Sequence, residues 1–452
     1  MVVTGDVFST GGRLRATARE VPAAATASAL AAAAGFLLVG GHARMAYLVA
    51  LAPVAVLLVL HFRLMATLLA ISLPFPMSLL GSGAGVNVAG SDLALALLFA
   101  VVVVEALTGY LPDLGKTAKP ALVALSPYAA WVVVLLAAHR DVSDVLQTLQ
   151  RFELFLIPVL IGVAIARRRC HVLVLNAYLW TAVAFAGLYP FFSNGNGGMG
   201  AQKNPAGQFI ANALILLLAV RPLRSKWSLG SVPILILGLL WTQSRGAIIS
   251  VGVALLVLGL AHRGQERGRF LLMIVPFAVV TVGAFALLPQ DAQQRNLDFS
   301  TTSGTDAARS ADSRNQFTEE ASAMLAEHPI VGVGIGNYAV GTPTVRPSTA
   351  DPHNVLMLQA AEGGYPLAAT FVLMVLGIAG VLFRRARTSP FAAAAAALII
   401  ASVGHGLVDV YWVRGTPVLG WLVVGMVLVQ HPSASDPTPA QEREAAACAV
   451  PN

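Results

Sequence analysis

Long apolar runs bounded by charged residues, glycine or proline follow one another along most of this chain. About 20 apolar residues are needed for one helix to cross a bilayer. The pattern therefore predicts an all-α fold, a polytopic transmembrane helical bundle of about 12–14 spans with one large extracytoplasmic loop. The candidate spans lie near residues 24–41, 46–61, 64–80, 92–110, 120–138, 151–166, 172–192, 208–220, 228–243, 246–261, 270–288, 355–383, 390–409 and 416–430.

The composition excludes a soluble enzyme. Apolar residues make up 57% of the 452 and charged residues only 11%, whereas soluble domains carry about 25% charge. The net charge of +7 comes from short clusters of Lys and Arg between apolar runs, which is the arrangement of topology signals and not of a nucleic-acid surface. Two cysteines, Cys170 and Cys448, provide neither a disulfide framework nor a thiolate metal site.

The apolar pattern divides the chain into five segments. Residues 1–22 are polar and are followed by an apolar run that leads into further spans, so we expect a retained anchor and no cleavable signal. The tail is rich in Pro, Ala, Ser and Glu, which favours disorder. The expected segments are a cytoplasmic N-terminal segment (1–22), N-terminal transmembrane helices (23–288), an extracytoplasmic loop (289–354), C-terminal transmembrane helices (355–430) and a disordered cytoplasmic tail (431–452).

Most Lys and Arg residues fall on one side of the membrane under a fourteen-span count. Because cytoplasmic loops retain positive charge during insertion, that side and both termini are predicted to face the cytoplasm. The remaining basic residues lie on the outer face against this bias, and several of them are expected to be kept for chemistry. They are Arg44, Arg140, Arg151, Lys203, Arg245, Arg295, Arg309, Arg314, Arg346 and Arg414.

The segment 289–354 is polar and too long for a plain connector. Within it, Ser313–Pro329 places Phe317, Ala321, Met324 and Leu325 at amphipathic helical spacing, which predicts a helix that lies on the membrane surface or caps a cavity. The glycine-rich run IVGVGIGNY follows. It suits either a phosphate-binding loop or a loop that re-enters the protein.

Arg245 and Arg314 are the leading candidates for an anion site. Arg245 follows Gln243 in WTQSRGAIIS at the outer junction of two apolar runs, and Arg314 begins the amphipathic helix. A charge in so apolar a setting costs several kcal/mol unless it is paired or hydrated, which makes function the default hypothesis. The alternatives are a snorkelling interfacial Arg245 and a solvated Arg314.

Two further segments carry candidate polar groups. In DPHNVLMLQAAEGGYP, His353 and Asn354 open a span and Glu362 lies two turns in; a histidine at this position is either a general base or a hydrogen-bonded helix cap. Lys203 and Asn204 lie in a stretch rich in Gly and Asn. That stretch suits hydrogen bonding to sugars or phosphates, or it is a flexible connector.

The chain has no DxD or HExxH pattern and no acidic outer cluster with ligand spacing, so neither a metal nor another cofactor is expected. Two guanidiniums and a histidine suit a lipid-linked diphosphate, because bidentate Arg contacts hold phosphate oxygens and offset charge on the leaving group. Glu105, Glu153, His405 and Asp409 leave open a relay of the transporter kind.

Four elements in order are specific: GAQKNPAGQFIA, TQSRGAIIS, an SR with a helix ending EHPIVGVGIGNY, and PHNVLMLQAAEGGYPLA. Over roughly residues 200–380 the chain resembles the O-antigen ligase and polymerase superfamily of bacterial membrane proteins. The resemblance implies a metal-independent, inverting glycosyltransferase in the cytoplasmic (inner) membrane, with its active site facing outward. Lys203 departs from the bulky residue, Arg or His often found there, and fourteen spans exceed the twelve common in ligases.

The resemblance also implies roles. Arg245 and Arg314 match the family arginines that engage the diphosphate, and His353 matches the histidine near the acceptor. Gln243, Asn354, Glu362, Lys203 and Asn204 are expected to support substrate binding. The expected partners are an undecaprenyl-diphosphate-type glycan donor, a glycan, lipid or protein acceptor with a free hydroxyl, and membrane lipids, with no nucleic acid. A polysaccharide polymerase using the same donor, and more distantly a transporter or flippase of an anionic lipid or solute, remain alternatives.

Overall fold

The computed structural model describes most of the chain from residue 61 to residue 429. The predicted N-terminal segment 1–22, the predicted tail 431–452 and nearly all of the first two predicted spans lie outside the described residues. The described ranges are 61–75, 78–80, 88–108, 118–139, 142–193, 197–198, 201–220, 223–262, 264–286, 306–348, 351–409 and 415–429.

Helices dominate the described residues, as the apolar pattern predicts. Two antiparallel pairs of very short strands, β1 (Ser78–Leu80) with β2 (Val88–Ala89) and β3 (Gly197–Gly198) with β4 (Ala201–Gln202), connect helices. The described helices are α1 (Phe62–Ser72), α2 (Gly90–Leu107), α3 (Ala118–Ala138), α4 (Val142–Glu153), α5 (Leu156–Arg167), α6 (His171–Phe192), α7 (Lys203–Ala219), α8 (Lys226–Gly230), α9 (Val232–Trp241), α10 (Arg245–Ala261), α11 (Gly264–Ala286), α12 (Asp306–Glu327), α13 (Val355–Ala386), α14 (Pro390–Gly406) and α15 (Val418–Leu428).

Five described stretches are long and apolar enough to cross a membrane: α2, α3, the Asp144–Arg167 stretch, α6 and α13. Shorter apolar helices include α1, α10, α14 and α15. Each predicted span from 64–80 onward overlaps one or more of the helices. The prediction of an all-α polytopic bundle is therefore confirmed.

Close helix packing places small residues where backbones meet. A side chain added at Gly162 of α5 would lie 2.1 Å from the Leu422 carbonyl oxygen of α15, and one added at Gly425 would lie 2.0 Å from that of Val159. In lipid the hydrophobic effect does not drive helices together, so close van der Waals contact between small residues supplies much of the stabilisation. The glycines permit that contact here.

The longest helix, α13, is broken near its start. Gly363 and Gly364 have non-helical backbone angles, and Gly364 has φ of 72°, a left-handed conformation that glycine adopts at little cost. The part after the break is long enough to cross a bilayer of about 30 Å and ends with Arg384 and Arg385. The break therefore sets off the first two turns, Val355–Glu362, as a separate short segment at the opposite end from these arginines.

Helix α12 covers most of the amphipathic helix predicted at Ser313–Pro329, but it begins earlier, at Asp306, and ends at Glu327. Its apolar residues Ala321, Met324 and Leu325 are buried in the bundle, and it packs against α13. The helix thus covers one end of the bundle instead of lying free on a membrane surface.

Candidate functional site

The ends of four helices meet where the candidate residues lie. Helices α7, α10 and α14 pack against one another pairwise, and α13 packs against α14. A side chain added at Gly207 in α7 would lie 2.7 Å from Cβ of Ser244, and one added at Gly246 in α10 would lie 2.4 Å from Cδ2 of His405 in α14. The beginnings of α7 and α10 therefore lie beside the end of α14.

Asp409, just past the end of α14, joins two of the predicted site residues. Its Oδ2 lies 3.4 Å from Nη2 of Arg314, and its Oδ1 lies 3.2 Å from Nδ1 of His353. The Asp409 side chain is 5% exposed, while those of Arg314 and His353 are 38% and 26% exposed. A buried carboxylate thus holds a cation and an imidazole that both remain accessible.

Arg245 completes the group from the first turn of α10. The charges of Arg314 and Asp409 both act on its guanidinium, so the two arginines share one carboxylate and repel each other. The backbone leading into this turn is set by Gln243, which is exposed and has φ of 53°, and by Ser244, whose hydroxyl accepts a hydrogen bond from the amide of Ala247. A left-handed backbone at a non-glycine residue is uncommon and marks functional sites more often than other positions.

His353 is held from three directions. Its amide donates to Oδ1 of Asp351 at 2.7 Å, its ring stacks on Phe317 of α12 with centroids 5.4 Å apart, and its Nδ1 contacts Asp409. Like Gln243, it has a positive φ, here 55°. Burial raises the pKa of Asp351, and the hydrogen bond from the His353 amide opposes that rise. The imidazole therefore has a fixed orientation, with Nδ1 toward Asp409.

Three helix N-termini converge on the cationic group. Helices α7, α10 and α13 all begin at this end, with Lys203, Arg245 and Val355 as their first residues. Lys203 lies one turn before Gly207 and on the same helical face, so it belongs to the side of α7 that packs against α10. Helix N-termini carry partial positive charge, which favours anions. The electrostatics of this end of the bundle thus favour a multiply charged anion.

A buried polar cluster lies directly beneath the group. Nδ1 of His405 lies 2.5 Å from Oε1 of Gln208, and Nε2 of Gln208 donates to Oδ1 of Asn212 at 2.8 Å and to Oγ of Ser402 at 3.2 Å. Such hydrogen bonds fix the rotation of α7 against α14 because an unpaired polar group in this setting is costly. The cluster therefore fixes the relative positions of the helix ends that carry Arg245 and Asp409.

The sequence-predicted site residues differ in where the structure places them. Arg245, Arg314 and His353 come together, and Gln243 flanks Arg245. The Asn354 side chain caps α13 by accepting hydrogen bonds from the amides of Leu356 and Met357. Lys203 and Asn204 lie in the first turn of α7.

Glu362, by contrast, has other partners: it forms an ion pair with Arg151 and accepts a hydrogen bond from the amide of Gly336 at 2.8 Å.

Asp409 is the residue that the sequence analysis did not place in this site. The sequence suggests it only as a member of a possible relay, because a single acidic residue after an apolar run has many possible partners. Its ion pair joins positions 95 residues apart in the chain, so spacing alone did not reveal it. A rare carboxylate at the outer end of a span is nevertheless the feature that singles it out.

Comparison with known proteins agrees with the resemblance. Residues 230–372 match the family model described as O-antigen ligase. This range includes Arg245, Arg314, His353, Asn354 and Glu362, while Lys203 and Asp409 lie outside it. No curated protein matches the chain. The match over residues 230–372, which include both arginines and the histidine, supports the O-antigen ligase superfamily for this part of the chain.

Proposed function

We propose that this protein is a membrane glycosyltransferase of the ligase type that moves a glycan from a polyprenyl-diphosphate carrier to an acceptor hydroxyl. The family match supports an O-antigen ligase or polymerase type of transferase. The observation that carries the finer proposal is the shared contact of Asp409 with Arg314 and His353 beside Arg245. This arrangement puts an anion-binding pair and an oriented base within one small site.

The arginines would bind the donor diphosphate. A guanidinium presents several N–H donors in a planar fork that matches phosphate oxygens, and two of them offset the charge that develops as the diphosphate leaves. The mutual repulsion of Arg245 and Arg314 is relieved when a diphosphate lies between them. The converging helix N-termini, with Lys203 and Asn204 at one of them, add positive potential from the backbone.

His353 would remove the acceptor proton. With Nδ1 directed at the Asp409 carboxylate, Nε2 is the basic nitrogen, and the carboxylate stabilises the imidazolium that forms. The acceptor oxygen then forms a bond to the anomeric carbon while the bond to the diphosphate oxygen breaks and its electron pair leaves with the diphosphate. A single displacement of this kind inverts the anomeric configuration, and Arg245 and Arg314 supply the charge compensation without a metal.

The orientation of the site follows from the basic residues at the other ends of the same helices. Arg384 and Arg385 end α13, and Arg267 and Arg269 lie in α11 just after α10. Positive charge of this kind is retained on the cytoplasmic side. The site is therefore proposed to face outward from the cytoplasmic (inner) membrane of a bacterium, with an outer loop at 289–354 and both termini inside.

The testing experiment is glycan transfer in reconstituted membranes, from a labelled polyprenyl-diphosphate donor, with a chelator present throughout. Wild type is compared with His353→Ala and with His328→Ala, an exposed histidine after α12. We expect transfer in wild type and His328→Ala and a loss of about 10²–10⁴-fold in His353→Ala, the usual contribution of a general base.

The outcomes separate the alternatives. Transfer abolished by the chelator would contradict the metal-free mechanism, and full activity in His353→Ala would contradict the base assignment. Movement of the intact donor across the bilayer without transfer would favour a flippase. Loss of a ladder of repeat lengths on deletion would indicate a polymerase, whereas intact lipid-linked polymer that no longer reaches its acceptor would indicate a ligase.

A further inference from the structure

Helix α4 buries its polar side and exposes its apolar side. Asp144, Thr148 and Arg151 share one helical face and are 7%, 2% and 5% exposed, whereas Leu146 and Leu149 are 39% and 52% exposed. This is the reverse of a helix on a soluble protein. The arrangement suits a helix with lipid on one side and a polar partner inside the protein.

The polar partner is the glycine loop, residues 332–341. Nδ2 of Asn337 donates to Oδ1 of Asp144 at 2.9 Å. The amide of Gln147 is oriented with its nitrogen toward two carbonyl oxygens. It donates to that of Gly336 at 2.9 Å and to that of Ile335 at 3.2 Å. The glycine-rich run thus re-enters the protein, the second of the two readings that the sequence left open.

The same loop fills the break in α13. The break frees the carbonyls of Ala361 and Glu362, which accept hydrogen bonds from the amides of Val333 at 2.9 Å and Gly334 at 3.0 Å. A side chain added at Gly332 would lie 2.3 Å from the carbonyl carbon of Glu362. Only a glycine allows so close an approach of the two backbones.

Glu362 is the point where helix, loop and break meet. One carboxylate oxygen accepts from the amide of Gly336, and the other pairs with Arg151. The side chains are 4% and 6% exposed, and Nη1 of Arg151 is buried with no hydrogen-bond partner in the described part of the chain. A buried donor left unpaired costs about 1–3 kcal/mol, so the guanidinium is retained here at a cost that an apolar side chain would avoid.

This pair is connected to the candidate site by short paths. Glu362 ends the segment Val355–Glu362, which begins two residues after His353. The charge of Arg151 also acts on Asp351, the residue that accepts the His353 amide hydrogen bond. The glycine loop leads back to α12, which carries Arg314 and the Phe317 ring stacked on His353. The positions of His353 and of the helix that carries Arg314 therefore both depend on the contacts of α4.

We propose that Arg151 and Glu362 are positioning residues that fix His353 relative to Arg314 by locking the first segment of α13 to α4 and the glycine loop. The proposal rests on the proposed function, because it concerns the geometry of that site. A misplacement of reacting groups by 1 Å can cost about 10²-fold in rate. The pair therefore acts on the rate of transfer and not on the binding of the donor.

The test is a double substitution, Arg151→Met with Glu362→Met. Replacing a buried ion pair by apolar side chains of similar size is often neutral or stabilising. Only the amide of Gly336 loses its acceptor, at about 1–3 kcal/mol, so the double variant should still fold, with an unfolding temperature slightly below that of wild type. We expect kcat for transfer to fall about 10- to 100-fold with KM for the donor within about twofold. The matched control is Arg168→Met with Glu105→Met. This ion pair joins the residue after α5 to α2, at the far end of α5 from α4, and its removal should leave kcat unchanged.

Hydrogen exchange provides a readout that needs no activity. In the Arg151/Glu362 double variant we expect faster amide exchange in residues 351–356 and 332–341, with unchanged exchange in α10. Wild-type kcat, or unchanged exchange in 351–356, would overturn the positioning role. A wild type that transfers nothing would count against the proposed function alone, because the exchange result still decides whether the pair fixes this segment. Two single variants complete the test. Glu362→Gln removes the charge and should lower the rate, and Glu362→Asp, which keeps the charge, should recover part of that loss.

Discussion

Two pairs of arginine and carboxylate lie near the two ends of the first segment of α13, and they differ in exposure. Arg314 pairs with Asp409 at 3.4 Å and keeps 38% of its side chain exposed. Arg151 and Glu362 are both nearly fully buried, and Glu362 is bonded on its second oxygen by a backbone amide. Arg314 can exchange its contact with Asp409 for a contact with a ligand. Arg151 and Glu362, by contrast, hold α4, the glycine loop and the first segment of α13 together.

The physical reason lies in desolvation. Removing one partner of a buried pair leaves an uncompensated charge at a cost of about 3–5 kcal/mol, whereas a partly exposed charge is stabilised by water or by an incoming anion. The chain therefore keeps its accessible cations where three helix N-termini already favour an anion. The difference between the pairs separates residues expected to bind substrate from residues expected to position them.

Among changes to the two ion pairs, the largest effect is expected from removing an accessible cation. Arg245→Ala and Arg314→Ala should each reduce glycan transfer about 10²–10³-fold, the usual cost of losing a group that stabilises the developing charge. Membrane expression and the unfolding temperature should stay near wild type, because the buried Asp409 keeps His353 and the charge of the remaining arginine near it. Rates in reconstituted membranes, beside expression level, provide the measurement. Full transfer in both variants would contradict the assignment of these arginines to diphosphate binding.

Lysine at the same positions sharpens the comparison. Arg245→Lys and Arg314→Lys keep the charge but lose the planar fork, so we expect a smaller loss of roughly tenfold, about the value of one charge-assisted hydrogen bond. Equal losses for Lys and Ala would show that geometry and not charge is decisive.

An intermediate effect is expected from Gly246→Ala. The added methyl group would lie 2.4 Å from Cδ2 and 2.7 Å from Nε2 of His405, whose ring is buried and bonded to Gln208 and cannot move aside cheaply. Helix α10 must shift, which separates Arg245 from Asp409, and transfer should fall about 10²-fold. Gly252→Ala in the same helix is the control, because an added Cβ there meets no atom within 4 Å. Equal rates in the two variants would contradict the close packing of α10 against α14.

The smallest effect on transfer is expected at Asn354. The sequence placed it with the substrate-binding residues, but its side chain caps α13. Asn354→Ala should lower the free energy of unfolding by about 1 kcal/mol, while Asn354→Ser should retain the cap and the stability. Thermal unfolding and transfer rates are measured on both. A loss of transfer in the serine variant with unchanged stability would return Asn354 to the binding site.

The apolar pattern predicted the helices well where residues face lipid. An apolar run of the right length has one favourable state in a bilayer, because every backbone amide and carbonyl must bond within the helix. The predicted spans 120–138 and 172–192 match α3 (Ala118–Ala138) and α6 (His171–Phe192) closely. The break in α13 was not predicted, although its two glycines and Pro366 are visible in the sequence, because these residues are tolerated in unbroken membrane helices when neighbours satisfy the backbone.

The sequence by itself determined that the chain is a polytopic helical membrane protein, and it singled out Arg245, Arg314 and His353. Hydropathy and the cost of a charge in an apolar setting depend on the local sequence, so both could be read along the chain. Only the tertiary structure decided that Asp409 joins His353 to Arg314 and that Glu362 pairs with Arg151. These contacts join residues 56, 95 and 211 positions apart, and they depend on how each helix is rotated against its neighbours, which no local pattern encodes.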